Sequence, residues 1–165
     1  MHLRQQLRPR LHTIGPPPPH LLEAEIAPHS DWLVWQALIT PKLELLSAEA
    51  KPLGDGVYRV RLVVQNTGWL PTYVSKRALE RRSVRPVLAE ITLPDGATLH
   101  VGRVREELGQ LEGRNLKAAS GFSPVADPTD DRAHFDWIVH APKGGTVKLL
   151  ARHQRAGVVR AEISL

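Results

Sequence analysis

Residues 58–73 read Y-R-V-R-L-V-V-Q-N-T-G-W-L-P-T-Y, and this stretch decides the fold class. Its first half alternates apolar and polar side chains, a period of two that is typical of a β-strand with one buried face. Asn66 and Gly68 then end the strand with residue types that favour turns. Pro71 prevents regular strand pairing just beyond them. We therefore predict a half-buried strand that leads into a structural turn built on Asn66, Gly68 and Pro71.

The same alternation returns in short segments along the rest of the chain. Turn-forming residues separate these segments: Gly54-Asp55-Gly56, Pro94-Asp95-Gly96, Lys143-Gly144-Gly145 and Arg155-Ala156-Gly157. We also expect a short helix capped by Ser75, a strand over 106–113 and a long loop over 115–131. The pattern predicts a mostly β protein, an immunoglobulin-like β-sandwich of seven or eight strands with a short helical N-terminal segment.

Three parts follow one another along the chain. Residues 1–19 end in four prolines and are predicted to be a disordered polyproline leader. Residues 20–40 are predicted to be helical, with Pro28 dividing them into two helices. Residues 41–165 are predicted to form the sandwich domain, which is long enough to bury a stable core.

Composition excludes several kinds of protein. The 165 residues contain no cysteine, which excludes disulfides, thiolate metal sites and a cysteine nucleophile. No run of about 18 apolar residues occurs, so we expect no membrane span. The first ten residues are charged and lack the apolar core of a signal peptide. This absence favours the cytoplasm, but the compartment stays open because the true start of the chain is open. We predict no membrane partner.

Basic residues exceed acidic ones and give a net charge of +5. Five of them lie close together in the sequence, with Glu80 as the one acidic residue among them: Lys76, Arg77, Arg81, Arg82 and Arg85. Such a cluster can follow a phosphate backbone, or it can be a solvated helix face. Aromatic residues make up 5% of the chain and do not alternate with these cations, so no stacking platform is indicated. We predict no nucleic-acid partner.

One spacing is typical of zinc ligands. His20-Leu21-Leu22-Glu23 is an H-x-x-E pair, and His134 or His140 offers a third imidazole. The pair follows four prolines, however, and no pattern places a general base beside it. His134 and His140 lie roughly 20 Å apart if both are on one extended strand, so with Asp136 they do not share one ion. We therefore predict no metal and no cofactor.

The acidic run Asp127-Pro128-Thr129-Asp130-Asp131 permits a calcium site or a solvated loop. It lacks the regular carboxylate spacing of a helix-loop-helix calcium site, and we favour the loop. No G-x-S-x-G, Walker or G-x-G-x-x-G motif occurs. The chain is accordingly predicted to have no catalytic residues and not to be an enzyme.

The tryptophans are the candidate contact residues. Trp69 lies in the turn after the deciding strand, where its ring either stacks on a sugar or anchors a partner, or folds back over the open end of the core. Trp137 falls in the apolar register of its strand and is predicted to be a core residue. Trp32 and Trp35 lie in the helical segment, whose apolar surface is expected to dock either on the sandwich or on a partner outside this chain.

Several runs of this chain resemble one family. P-P-P-P-H-L-L-E-A-E-I-A-P-H-S-D-W-L-V-W-Q-A-L-I-T-P-K-L-E-L-L, over 16–46, resembles the end of the catalytic domain in bacterial zinc carboxypeptidases of the carboxypeptidase A type. Y-R-V-R-L-V-V-Q-N-T-G-W-L-P-T-Y-V-S-K-R-A-L and E-E-L-G-Q-L-E-G-R, over 58–79 and 106–114, resemble the β-sandwich tail that those proteins carry. The V-x-L-x-x-x-N-x-G part, over 60–68, is also similar to bacterial adhesion-type sandwich domains.

The resemblance implies a role without catalysis. In that family an H-x-x-E motif and a later histidine hold the zinc, a separate glutamate is the base, and all of them precede the tail. His20 to Glu23 would then belong to the terminal helix, and no zinc ligand or base of the family maps onto this chain. The resemblance implies an accessory module that works with a peptidase catalytic domain, in cis or in trans. The alternatives are a freestanding module that binds glycan or cell-wall peptide, and a truncated carboxypeptidase relative that keeps the family's name without its chemistry.

Overall fold

The computed structural model describes residues 19–119 and 130–165. These residues form three helices, α1 (Leu22–Leu38), α2 (Lys76–Glu80) and α3 (Arg114–Ala119). They also form eight strands: β1 (Leu43–Gly54), β2 (Val57–Asn66), β3 (Val87–Thr92), β4 (Thr98–Val101), β5 (Arg105–Gly109), β6 (Arg132–His140), β7 (Thr146–His153) and β8 (Gly157–Ser164). The predicted β-sandwich of seven or eight strands with a helical N-terminal segment is confirmed.

The strands form two antiparallel sheets of four strands each. Sheet A has the order β1-β2-β6-β4, and sheet B has the order β5-β3-β7-β8. When the strands other than β5 are lettered in chain order, β1, β2, β6 and β4 follow the A-B-E-D order of an immunoglobulin sheet, and β3, β7 and β8 follow C-F-G. The added strand β5 pairs with the outer edge of β3 after the chain has crossed to sheet A to form β4.

The core lies between the inner faces of the two sheets. Its residues occupy alternate positions of β2, β3, β6 and β7, and each is at most 2% exposed: Val60, Leu62, Val64, Val87, Ala89, Ile91, Trp137, Val139, Val147, Leu149 and Ala151. Burying one such large apolar side chain contributes about 1.5–3 kcal/mol. Trp137 fills the centre, as predicted, and its indole N–H donates to the Arg103 carbonyl oxygen at 2.9 Å. Gly102 lies so close that a Cβ there would be 2.7 Å from Trp137 Cδ1.

Helix α1 is continuous, so the predicted division at Pro28 is wrong. Seventeen residues from Leu22 to Leu38 are helical with Pro28 inside them. A proline inside a helix removes its own N–H donor and crowds the carbonyl of the residue four positions earlier, but the helix continues on both sides of Pro28. Among the described residues, no helix is long and apolar enough to span a bilayer.

Two local predictions in the second half of the sandwich need correction. Helix α3 (Arg114–Ala119) takes up residues 115–119 of the predicted long loop over 115–131, and the strand expected over 106–113 ends at Gly109. Gly109 has φ +80, which takes the chain out of the strand conformation. Helix α2 is confirmed, since Ser75 Oγ accepts from the Ala78 amide at its N-terminus.

The described chain divides into two compact units, with the boundary between Leu38 and Ile39. The sandwich unit contains every strand. The predicted polyproline leader over 1–19 lies outside the described residues except for Pro19.

Candidate functional site

The side chain of Asn66, at the end of β2, joins three separate segments of the sandwich. Its Oδ1 accepts from the amides of Lys42 at 2.9 Å and Gly68 at 3.1 Å. Its Nδ2 donates to the carbonyl oxygens of Leu70 and Glu112, each at 2.9 Å. Asn66 is fully buried, and these four bonds use both hydrogens and both lone pairs of the carboxamide. The result is a rigid base for the residues that follow, 66–75, which we call the Trp69 loop.

Two glycines permit close backbone contacts around this loop. A Cβ on Gly68 would overlap the Thr40 carbonyl oxygen and lie 2.6 Å from Pro41 Cα. A Cβ on Gly113 would overlap the carbonyl oxygen of Trp69. Because these neighbours are backbone atoms, side-chain adjustment cannot relieve the overlap.

Helix α3 begins against the Trp69 loop. The Arg114 amide donates to the Gly68 carbonyl oxygen and the Asn115 amide donates to that of Trp69, both at 3.1 Å. The first amides of a helix lack acceptors within the helix, and the loop carbonyls supply them here. The Leu70 amide donates to the Ile39 carbonyl oxygen at 3.0 Å, so the backbone is fixed on both sides of the Trp69 indole.

Thr72 continues the attachment of the loop. Its amide donates to the Leu111 carbonyl oxygen at 2.9 Å, and its Oγ1 accepts from the Leu111 amide at 2.9 Å. The same hydroxyl donates to Gln110 Oε1 at 2.7 Å. Both Thr72 and Leu111 are buried. Pro71, the residue before Thr72, is also buried and has no amide that would need an acceptor.

Tyr73 and Glu112 form a hydrogen bond at the end of the loop. The Tyr73 hydroxyl lies 2.7 Å from Glu112 Oε1 and 2.9 Å from Oε2 and donates to this carboxylate. Burial, followed by the hydrogen bond and the negative charge of Glu112, raises the pKa of Tyr73 to about 12. The phenol therefore remains a protonated donor at neutral pH and does not serve as a general base.

Three apolar side chains on and after the loop remain exposed. Trp69 is 46% exposed, Val74 is 37% and Leu79 is 45%. Val74 has φ +64, and the Ser75 amide bonds the Tyr73 carbonyl oxygen across it at 2.7 Å. For a β-branched residue this conformation costs about 1–3 kcal/mol. The loop thus presents Trp69 and Val74 to solvent on a fixed backbone.

The side chains that were weighed as metal ligands and not favoured include Asp136 and His140, and each has another partner. Asp136 is paired with Arg61 through two hydrogen bonds of 2.7 Å, and this contact lowers the pKa of the carboxyl. The ring of His140 stacks on His100 with centroids 5.4 Å apart. Within the described parts of the chain, no three His, Asp or Glu side chains form a group that would hold a metal.

The acidic run is described only at its last two residues, since 127–129 lie outside the described residues. Asp131 is buried, and its Oδ2 accepts from Gln65 Nε2 at 2.6 Å. Its carbonyl oxygen accepts from the Asn66 amide at 2.8 Å, while that of Asp130 accepts from the Glu112 amide. These two residues therefore fasten the Asn66 region to the start of β6.

Trp32 and Trp35 lie apart from this site in sequence, on helix α1, which contains no buried residue. Their side chains are 56% and 53% exposed. The structure thus places all three candidate tryptophans at exposed positions, with one in the Trp69 loop and two on α1.

A second polar centre was not singled out from the sequence. His153, at the end of β7, is buried; its Nε2 lies 3.0 Å from the Arg85 carbonyl oxygen, and its Nδ1 accepts from the Arg155 and Ala156 amides at 3.2 Å each. Burial, with a smaller contribution from Arg155, lowers its pKa. The only sequence signal for its burial was that His153 falls on the inward-facing positions of β7.

Fold and loop together define an immunoglobulin-like β-sandwich module. The chain belongs to a family described as a domain of unknown function, DUF8731, whose family pattern matches residues 42–164. This range runs from the residue before β1 to the end of β8 and leaves out α1.

Among solved structures, the chain is similar to the GAE domain of GGA2p from Saccharomyces cerevisiae. The identity is 12%, the TM-score is 0.42, and the similarity covers 75% of this chain and 89% of that one. No curated protein matches the chain.

Proposed function

We propose that this chain is a non-catalytic accessory β-sandwich module that docks on the catalytic domain of a zinc metallocarboxypeptidase through helix α1. The observation that carries the proposal is the surface of α1. None of its 17 residues is buried, although seven large apolar side chains lie on it: Leu22, Ile26, Trp32, Leu33, Val34, Trp35 and Leu38.

The apolar residues of α1 do not form a single stripe. Trp32, Leu33, Val34 and Trp35 are consecutive, and at about 100° per residue they point to every side of the helix. The first part of α1 carries Glu23, Glu25 and Asp31, but the turn over 32–35 is apolar on every side, and a helical surface of that kind normally lies inside a larger protein. A groove between the helices or strands of another domain suits such a helix better than a flat surface does.

The resemblance of residues 16–46 to the end of a carboxypeptidase catalytic domain supports the choice of partner. In such a protein, α1 would be the last helix of the catalytic domain and the sandwich would follow it. The expected role of the sandwich is structural support of the peptidase, or engagement of its substrate or of a surface through the Trp69 loop.

Titration calorimetry with the catalytic domain of a bacterial zinc carboxypeptidase of this type tests the proposal. We expect a one-to-one complex, at least tenfold weaker when Trp32 and Trp35 are both changed to serine, which removes apolar area from the contact. Trp69→Ser is the matched control and should bind like the parent chain. Absence of a complex, or an equal loss with Trp69→Ser, would contradict the proposal.

A second experiment tests the absence of catalysis. The purified chain should take up no zinc and should release no C-terminal amino acid from peptides, and His20→Ala should change neither result. Zinc-dependent release that His20→Ala removes would make the chain an enzyme.

The exposure of Trp69 favours a second candidate function, a freestanding module that binds glycan or cell-wall peptide. An indole held on a fixed loop loses little conformational freedom when a sugar stacks on it. Binding of cell-wall fragments by the chain alone, removed by Trp69→Ala and unaffected by the α1 variants, would favour this function over docking on a peptidase.

A further inference from the structure

A depression of about 410 Å³ lies on the outer face of sheet B, where β3, β7 and β8 come together. Its volume falls in the range of small ligand sites, and it is open to solvent along the sheet. Arg85 and Arg152 line it together with apolar Pro86, Leu88 and Val158, and none of the described residues that line it is acidic. We call it the Arg152 depression.

Strand register places the central residues of the depression side by side. Leu88 of β3 pairs with Arg152 of β7, and Arg152 pairs with Val158 of β8. One guanidinium therefore lies between two apolar side chains on the same row across three strands. Val158 is 47% exposed, so the row is accessible from solvent.

Glu90 orients the central cation. Its Oε1 accepts from Arg152 Nε at 3.0 Å and from Nη2 at 2.8 Å, and also from Arg105 Nε at 3.0 Å. An arginine has five N–H donors, so Arg152 keeps three that have no protein acceptor in the described part of the chain. A carboxylate can accept from two of them in the paired geometry that arginine favours.

Hydrogen bonds to its backbone carbonyl oxygen hold Arg85, the second cation of the depression, in position. The Arg85 carbonyl oxygen accepts from Gln110 Nε2 at 3.0 Å and lies 3.0 Å from His153 Nε2. Because His153 is buried and its Nδ1 accepts two amide hydrogens, Nε2 carries the hydrogen and donates to this carbonyl oxygen. The backbone of Arg85 is thus fixed, while its side chain is exposed and has no ion pair among the described residues.

We propose that the Arg152 depression binds an acidic peptide segment, with one carboxylate between Arg85 and Arg152 and a neighbouring apolar side chain over Leu88 and Val158. The positive charges of Arg85 and Arg152 favour an anionic ligand. The apolar side chains of Leu88 and Val158, on either side of Arg152, favour a ligand that also has apolar side chains, as a peptide has. A nucleic acid would offer phosphates to the same arginines, but the lining contains no aromatic ring on which a base could stack. All the residues that line the depression belong to the sandwich unit, and the proposal does not depend on a peptidase partner.

Fluorescence anisotropy with a fluorescein-labelled peptide of eight alternating aspartates and leucines tests the proposal at low salt. We expect saturable binding that Arg85→Gln and Arg152→Gln each weaken by about tenfold, since each removes charge-assisted hydrogen bonds. Arg160→Gln is the matched control on the same sheet face and should change the affinity less than about twofold. Arg85→Gln removes no internal ion pair, so it remains informative if Arg152→Gln fails to fold.

Four results would overturn the proposal. The first is no saturable binding of the peptide up to about 1 mM. The second is equal binding of a peptide with asparagine in place of aspartate, and the third is an equal loss of affinity in Arg160→Gln. The fourth is displacement of the peptide by single-stranded DNA of 20 nucleotides at lower concentration than by unlabelled peptide, which would assign the depression to nucleic acid.

Discussion

The Asn66 carboxamide nitrogen donates to the backbone carbonyl oxygen of Glu112 at 2.9 Å, across 46 positions of sequence. This bond connects the end of β2 with the segment that carries the acceptor of Tyr73. The Trp69 loop therefore owes its shape to a buried polar side chain that the rest of the core encloses. Its exposed tryptophan is held by that interior network.

Replacing Asn66 with alanine should lower the free energy of unfolding by about 3 kcal/mol. The change leaves the Lys42 and Gly68 amides and two carbonyl oxygens without their partner, and an unsatisfied buried polar group costs about 1–3 kcal/mol. Urea unfolding measures the difference. Thr98→Ala, at an exposed strand position, is the control and should stay within about 0.5 kcal/mol of the parent. A similarly small effect of Asn66→Ala would show that the network does not hold the loop.

Gly68→Ala and Gly96→Ala should lower the stability by different amounts, because glycine is needed for close packing at position 68 and for a positive φ at position 96. A Cβ at Gly68 overlaps backbone atoms, whereas nothing lies within 4 Å of a Cβ at Gly96, whose φ is +78. We expect Gly96→Ala to cost about 1–2 kcal/mol from backbone strain and Gly68→Ala to cost more. Thermal unfolding of both variants provides the comparison, and an equal or smaller cost at Gly68 would be inconsistent with the close approach of Thr40 and Pro41.

His153 should make stability depend on pH. Burial lowers its pKa from the ordinary 6.5, so the unfolded chain binds this proton more tightly than the folded chain. The stabilisation is complete above pH 6.5 and decreases as the pH falls from 6.5 towards the lowered folded pKa. Urea unfolding at pH 7.5 and 5.5 measures the decrease.

Two histidine variants identify the source of this pH dependence. His153→Gln removes the titrating ring, and we expect it to reduce the difference in unfolding free energy between the two pH values. His134→Gln changes an exposed histidine and should leave that difference as it is in the parent chain. If His153→Gln retained the full difference, another group would be responsible.

Trp69→Ala and Trp137→Ala should separate a contact residue from a core residue. Trp137 is fully buried, and truncating such a ring costs about 3–5 kcal/mol. Trp69 is 46% exposed, and its loop is held by backbone hydrogen bonds that the truncation leaves in place. The melting temperature of the Trp69→Ala variant should therefore be close to that of the parent chain. A loss at Trp69 as large as that at Trp137 would place the indole in the core.

The sequence predicted those parts of the fold that depend on local alternation. The period of two in β2 and β6 identified the strands, and the register of Trp137 identified a core residue. Pro28 was misread because a proline disfavours the interior of a helix without always ending it, and the helix continues through this one. Helix α3 was missed because its first amides take their acceptors from the distant Trp69 loop.

The candidate sites show the same limit. Asn66 was recognised as a turn residue, but its bonds to Lys42 and Glu112 depend on how remote segments meet. The row of Leu88, Arg152 and Val158 exists only once β7 lies between β3 and β8 in one register. Neither the hydrogen bonds of Asn66 nor this row of side chains can be predicted from the spacing of residues in the sequence.

The most direct test of the central claim, that the chain docks on a peptidase through α1, is amide hydrogen exchange with and without the carboxypeptidase catalytic domain. In the chain alone, amides of Leu22–Leu38 should exchange fast, because a helix without buried residues opens readily. We predict that adding the catalytic domain slows exchange in Leu22–Leu38 and leaves exchange in the Arg152 depression unchanged. Unchanged exchange in α1, or protection confined to residues 66–75, would contradict it.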